Sequence, residues 1–373
     1  MQNLVSGVKN ILSYKRKARI DNLVFALHKV TAGVLLLLSI IVSSGIYVAK
    51  PISCISDKTV DRVIDAYCWI HSTYTIPNKT NSALNEIQVA HPGVAPLDAD
   101  DEIRVHKYYQ WVCFVLFFQA AAFIFPRVIW KRLERNRIYT LSSIGFEEMA
   151  KNEEALSKRR KQCVDYFHQC LGTNDSWALT YAVCEVLNFI NVVIQIDLTD
   201  RFVGRALSKY GLSLMQFSSQ NPLMRDDPMA AAFPTVTKCM FHMVGPTGNL
   251  VNFDSLCVLP LNIYNEKFYP LLWVWFIFLA VLSGLAILYR IFTFLLPEVR
   301  HELLKRKFYM ATAEIRNLGR VNLKLDYGDW FLLYQIGKNM RPSAFCEFLD
   351  DLVNRFSDER DLTSKAAAKE KYL

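Results

Sequence analysis

A chain of 373 residues is long enough for two or three soluble domains, or for a modest membrane bundle with flanking extensions. Aromatics at 13% and a slightly positive mean hydropathy beside 21% charged residues arise when apolar blocks alternate with charged ones. Nine cysteines are too few for a disulfide scaffold of this length, and a net charge of +8 implies nucleic-acid binding only if the charges cluster for it.

Residues 1–29 carry six Lys/Arg (Lys9, Lys15, Arg16, Lys17, Arg19, Lys29) against Asp21, and 30–49 follow without a charge. A basic start before an apolar run also suits a signal peptide. This leader is too long, the run exceeds the usual ~7–15 residues, and no A-x-A site closes it. The pattern predicts a retained first span over 30–49. Residues 50–107 are polar and turn-rich at Pro51, Pro77, Pro92-Gly93 and Pro96. Tyr108–Phe125 then runs uncharged between Lys107 and Arg127. At about 1.5 Å per helical residue it crosses most of a ~30 Å hydrocarbon layer. Two tyrosines and Trp111 mark one end, where amphipathic rings settle at the membrane boundary. This is the second span, 108–126.

Residues 127–176 are charged, and Glu153–Lys161 reads as a solvated helix face. The third span, 177–197, is interrupted by Glu185, and a turn-rich polar loop fills 198–267. The fourth span, 268–290, is rich in aromatics. The remainder, 291–373, has apolar residues at helical spacing (Trp330, Phe331, Tyr334, Ile336) and predicts a helical domain with a frayed Ala/Lys tail. The amino-terminal stretch to Asp21 carries Leu4, Val5, Val8, Ile11 and Leu12 at the spacing of a short amphipathic helix, suited to an anionic lipid surface.

Four spans place both termini on one side. Lys/Arg against Asp/Glu number 6:1 in 1–29, 10:7 in 126–176 and 15:12 in 290–373, but 6:8 in 50–107 and 6:6 in 197–267. The basic excess falls on the side of the termini, which the positive-inside rule makes cytoplasmic. Topology thus accounts for the net charge, and nucleic acid is not an expected partner. No repeat suggests a solenoid or an inverted-repeat transporter.

Cys54 and Cys68 fall in the first outer loop, Cys239 and Cys257 in the second, and four cysteines on an oxidising face suggest two disulfides among three possible connectivities. A zinc site with His71 or His242 is the rival, but no C-x-x-C spacing supports it. No catalytic, nucleotide-binding or metal motif is present, so neither an enzyme nor a cofactor is expected. Glu185 inside the third span is either a pore group or, as the reading preferred here, a structural carboxylate bonded to a neighbouring helix, with Asn188 and Asn191 one and nearly two turns away. Asn78-Lys79-Thr80 is a glycosylation sequon on the predicted outer face. Asn174-Asp175-Ser176 is one on the predicted inner face, where it stays bare.

Several stretches resemble one family, the innexins. The pentapeptide Tyr108-Tyr109-Gln110-Trp111-Val112 looks like its signature. Pro51-Ile52-Ser53-Cys54-Ile55, Cys68-Trp69-Ile70-His71-Ser72-Thr73 and His91-Pro92-Gly93-Val94 resemble its first outer loop. Thr237-Lys238-Cys239, Cys257 to Ile263 and Asn265-Glu266-Lys267 resemble its second, and Gly328-Asp329-Trp330 its cytosolic region. The resemblance covers roughly residues 1–345. It implies an all-α membrane protein, a four-helix bundle with disulfide-linked outer loops holding some short β structure, and a helical cytoplasmic domain. It pairs Cys54 with Cys257 and Cys68 with Cys239, and places Met1, Gln2 and Asn3 at a pore constriction.

The function implied is a plasma-membrane gap junction subunit. Eight such chains, identical or mixed with other innexins, would make a hemichannel in contact with membrane lipids. Two hemichannels docked across neighbouring cells would pass ions and small molecules passively. The alternative is an undocked hemichannel, which a glycan on Asn78 would favour. A four-span adhesion or scaffold protein is a third reading, but the W-x-x-C and C-C-G patterns of claudins and tetraspanins are missing.

Overall fold

A computed structural model describes residues 18–48, 50–55, 61–79, 91–142, 153–208, 231–307 and 325–370. Four helices are long and apolar enough to cross a membrane: α1 (Leu23–Val48), α3 (Val112–Glu134), α6 (Asp175–Phe202) and α7 (Leu261–Leu295). Each runs past its predicted span at one end or both, although α3 begins only at Val112, four residues after the expected start, because Tyr108–Gln110 form a separate single turn. Hydropathy marks only the stretch that suits lipid, whereas backbone hydrogen bonding continues wherever the flanking residues tolerate helix. Asn22 starts α1, its Oδ1 accepting the Phe25 N–H at 2.8 Å. The chain turns away from α6 at Gly204, which adopts φ +73° beyond the helix end. α3 continues through Pro126, where one backbone bond is lost, because residues beyond it are buried, Trp130 completely.

The chain divides into two units. One is built from the described parts of Leu27–Phe125 and Asn188–Leu282. Its four helix segments share a core of Leu35, Leu116, Phe123, Val192, Tyr269 and Phe276. Side chains also bond across it: Ser39 Oγ to the Cys113 carbonyl at 2.9 Å, Trp275 Nε1 to Thr31 Oγ1 at 2.8 Å, and Gln119 Nε2 to Thr199 Oγ1 at 2.9 Å. Phe117, Phe118, Leu271 and Val274 are exposed, apolar surface of the kind that suits a lipid environment on a membrane-spanning helix.

The same unit holds a five-stranded antiparallel sheet in the order β1-β5-β4-β2-β3, comprising β1 (Ser53–Ile55), β2 (Thr73–Thr75), β3 (Arg104–His106), β4 (Val236–Val244) and β5 (Leu250–Val258). The helix α2 (Asp61–His71) precedes β2. Three strands are short, but β4 and β5 have nine residues each, more β structure than the loops' sequence suggests. Their hairpin turns through Gly245 to Asn249, where the Gly245 N–H donates to the Asn249 carbonyl at 2.8 Å.

The second unit comprises the described parts of Met1–Ala26, Pro126–Leu187 and Ser283–Leu373. Besides the ends of the long helices it contains α4 (Arg137–Ser142), α5 (Glu153–Gln169), α8 (Pro297–Lys307), α9 (Tyr327–Asn339) and α10 (Pro342–Glu370). Ten of the thirteen residues of α9 are buried, so it serves as the unit's central helix. Trp330, Phe331, Leu332 and Leu333 pack there with Trp130, Phe167, Tyr181 and Phe348. Arg160 ties α5 to α10 through Asp351, 2.6 Å away, and Glu347. The Ala/Lys tail is helical to Glu370 rather than frayed, in keeping with its strong helix formers. Residues 18–22, by contrast, are not helical, and the rest of the expected amphipathic helix lies outside the described residues.

Candidate functional site: a disulfide-braced cap

Strand register brings Cys54 of β1 opposite Cys257 of β5, and the two are bonded with Cα atoms 4.0 Å apart. Cys68 of α2 is bonded to Cys239 of β4, with Cα atoms 5.9 Å apart. Ile52, Ile64, Tyr109 and Leu259 bury both bonds. The sulfurs of Cys54, Cys68 and Cys257 lie within 4.8 Å of one another, but as disulfides they offer a metal no thiolate. The bonds join residues 203 and 171 apart in sequence. Closing one loop of that size removes about 5 kcal/mol of unfolded-state entropy in the chain model, and the second adds less because it is nested in the first.

The pentapeptide 108–112 fastens the start of α3 to this braced core. Tyr109 donates its hydroxyl to the Cys68 carbonyl at 3.2 Å, and its ring packs 4.8 Å from Trp69. Gln110 Nε2 donates to the carbonyls of Trp69 and, at 3.3 Å, Ile70, capping the end of α2. Tyr108 packs edge-on against Phe233 at 5.4 Å, Val112 is fully buried, and Trp111 stays exposed.

Two buried lysines lock the surrounding loops. Lys79 Nζ contacts the Pro96 carbonyl at 2.6 Å and Asp98 and Asp101 at 2.7 Å each. The hydrogen bonds to Asp101 and then Asp98 raise the Lys79 pKa above its ordinary value, and the bond from Lys79 lowers that of Asp101. Lys238 reaches the Ala95 carbonyl at 2.8 Å and Asp254 at 2.6 Å. Burial, then Asp254, pushes the nearby Tyr74 up to about 12. His106 Nε2 pairs with Thr75 Oγ1 at 2.8 Å, and burial, then Arg104, pushes the ring down to about 4. In the turn His91–Val94, Gly93 adopts φ +76° and its carbonyl accepts the Ile76 N–H at 2.9 Å. A side chain at Gly93 would press on Thr75, 3.1 Å from where its Cβ would stand.

The β4–β5 hairpin projects beyond its neighbours. β1 pairs only with Leu256–Val258, and β2 meets β4 only at Lys238, so residues 240–244 and 250–254 form a ribbon with both edges unpaired by the described strands. Met243, Val244, Leu250 and Val251 are exposed on it.

The family model described as Innexin matches residues 21–356. Innexin inx2 of Schistocerca americana is 43% identical over 357 residues, covering 95% of this chain and 98% of that protein. Innexin inx2 of Drosophila melanogaster is 42% identical over 367 residues (98% and 99%), and Innexin shaking-B of the same fly 36% over 361 residues (95% of each). The chain belongs to the innexin family. It is a multi-pass membrane protein and a gap junction channel subunit, not an enzyme, and the cap is formed by the two segments that lie between the first and second and between the third and fourth long helices.

Other residues singled out in the innexin sequence lie elsewhere. Met1, Gln2 and Asn3 fall outside the described residues. Asn78 is exposed on the single turn Pro77–Lys79, whereas Asn174 is buried and donates to the Cys170 carbonyl and to Asp329. Glu185 is 3% exposed and receives two bonds from Arg290, at 2.7 and 2.8 Å, and one from Asn22 at 2.7 Å. The Arg290 guanidinium also stacks over Tyr181 and Phe331, 4.9 and 4.8 Å from their centroids. Its position as the first charge after the long apolar run was the available signal for a buried partner. Nothing in the local spacing pointed to Lys79, Lys238 or His106.

Proposed function

We propose that this innexin assembles eight to a ring, with copies of itself or with other innexins. Both termini face the cytoplasm, the disulfide-braced cap faces outward, and two rings dock cap to cap between cells. The basic excess in the segments holding the termini supports that orientation. So do the two disulfides, which require an oxidising compartment.

The single observation that carries the docking is the preformed cap. Two disulfides and two buried lysines fix its shape, so little ordering entropy opposes association. Its ribbon displays unpaired edges and apolar side chains that suit burial against another subunit. The conduit is a passive, water-filled path between subunits, with Met1, Gln2 and Asn3 proposed for its narrowest part on the strength of the family resemblance. Dye and current transfer between paired cells expressing only this chain tests the proposal. Transfer that is lost with Cys54→Ser/Cys257→Ser supports it, and silent pairs with the protein at the surface refute docking.

The exposure of Asn78 favours a second reading, the undocked hemichannel. A glycan there would stand off an opposing cap. A mass shift on glycosidase treatment, together with current in single cells but not across pairs, would select it.

A further inference from the structure

The four residues before α1 are each held by a different partner. The Arg19 N–H donates to Asn339 Oδ1 at 2.6 Å, and the Arg19 carbonyl accepts from Asn339 Nδ2 at 3.2 Å. Trp130 Nε1 donates to the Ile20 carbonyl at 3.3 Å. Arg127 grips the Asp21 carboxylate at 2.8 Å, and Asn22 bonds Glu185, itself held by Arg290. Residues Arg19–Asn22 therefore sit in a collar built by α3, α6, α7 and the last residue of α9.

Two features separate this collar from ordinary packing. Starting a helix needs only the Asn22 cap, which is present. The remaining bonds fall on three further consecutive residues. At Arg19 they go to the backbone alone, so they fix the path of the chain rather than select a side chain. Asn339 is itself braced, 6% exposed and bonded through Nδ2 to the Gln335 carbonyl at 2.9 Å. An amide that reads both the N–H and the C=O of one residue acts like a one-residue strand partner, and tolerates little change in direction.

We propose that Asn339 is a positioning residue for conduction, through which the carboxy-terminal helices set the path of the chain into the first turn of α1. The proposal rests on the channel reading. Its test expresses full-length wild type, Asn339→Leu, Asn339→Asp and Arg19→Ala. Surface protein, current per surface subunit and amide hydrogen exchange over residues 19–25 are read for each.

Asn339→Leu is nearly isosteric and removes both bonds to Arg19, together with the one to the Gln335 carbonyl. It should reach the surface within about twofold of wild type, pass at least fivefold less current per subunit, and exchange at least tenfold faster at 19–22. Asn339→Asp keeps the acceptor for the Arg19 N–H, should fall between, and serves if the leucine variant fails to reach the surface. Arg19→Ala, which leaves the backbone bonds, should match wild type. Faster exchange at 19–22 with unchanged current per subunit would overturn the proposal, as would unchanged exchange. A silent wild type would instead defeat the channel reading on which the proposal stands.

Discussion

A methyl group placed on Gly328 would stand 2.4 Å from the backbone carbon of Asn174 and equally close to the nitrogen of Asp175. The start of α9 and the start of α6 approach this closely because only hydrogen intervenes. The contact is sealed by the Gly328 N–H to Asp175 Oδ1 at 2.8 Å, and by Asp329 accepting from the Gly172 N–H and from Asn174 Nδ2 at 2.9 and 2.5 Å. Gly328→Ala therefore has no cheap rearrangement open to it, since the obstacle is backbone. It should destabilise the helical unit by about 1–3 kcal/mol. Gly33→Ala in α1, with nothing within 4 Å, should be neutral or stabilising. Thermal unfolding of the detergent-solubilised protein compares them, and equal midpoints would contradict the close contact.

Three cysteine sulfurs within 4.8 Å make the two disulfides interdependent. In Cys257→Ser the freed Cys54 thiolate lies beside the Cys68–Cys239 bond. Attack on the Cys68 sulfur forms Cys54–Cys68 and releases the Cys239 thiolate. Cys257→Ser alone should therefore yield a rearranged Cys54–Cys68 species by non-reducing peptide mapping. Cys54→Ser/Cys257→Ser should keep Cys68–Cys239 intact and lose about 2–5 kcal/mol. A single variant that retains Cys68–Cys239 quantitatively would refute the exchange.

His106 makes the cap sensitive to acid. Its ring is buried and neutral, with the pKa pushed from 6.5 to about 4. Between those values the unfolded chain binds a proton that the folded cap refuses, so stability falls as pH drops. The full contribution is present above about 6.5, and the loss approaches about 1.4 kcal/mol per pH unit down to about 4. Hydrogen-exchange protection of Thr73–Thr75, corrected for intrinsic rates, should decline over that window in wild type and less steeply in His106→Gln. Parallel slopes would assign the acid sensitivity to another group.

The spans were legible because nothing but lipid or another helix tolerates runs such as Tyr108–Phe125, and the bracketing charges gave their approximate ends. The pairing of Cys54 with Cys257 rested on resemblance, since four cysteines alone leave three connectivities open. What stayed hidden was long-range and polar. Lys79 stands inside a sequon and reads as a surface residue until Pro96, Asp98 and Asp101 close around it. The partners of Glu185 lie 105 and 163 residues away, distances no helical period reaches. Asn188, the nearest polar neighbour in sequence, has both amide atoms buried without a hydrogen-bond partner among the described residues.

That pair is also where charge burial can be measured. Glu185 is 3% exposed, and Arg290 supplies two of its three bonds. Arg290→Met would leave the carboxylate buried with Asn22 alone, a loss of about 3–5 kcal/mol. Arg290→Lys keeps the charge but not the paired geometry or the stacking on Tyr181 and Phe331, and should lie between wild type and methionine. Glu185→Leu/Arg290→Met removes both desolvated charges together and should recover most of the stability, because neither is then stranded. Midpoints of thermal unfolding for the four proteins form the comparison. If the double variant is as unstable as Arg290→Met, the cost lies in lost packing around the guanidinium rather than in an orphaned charge.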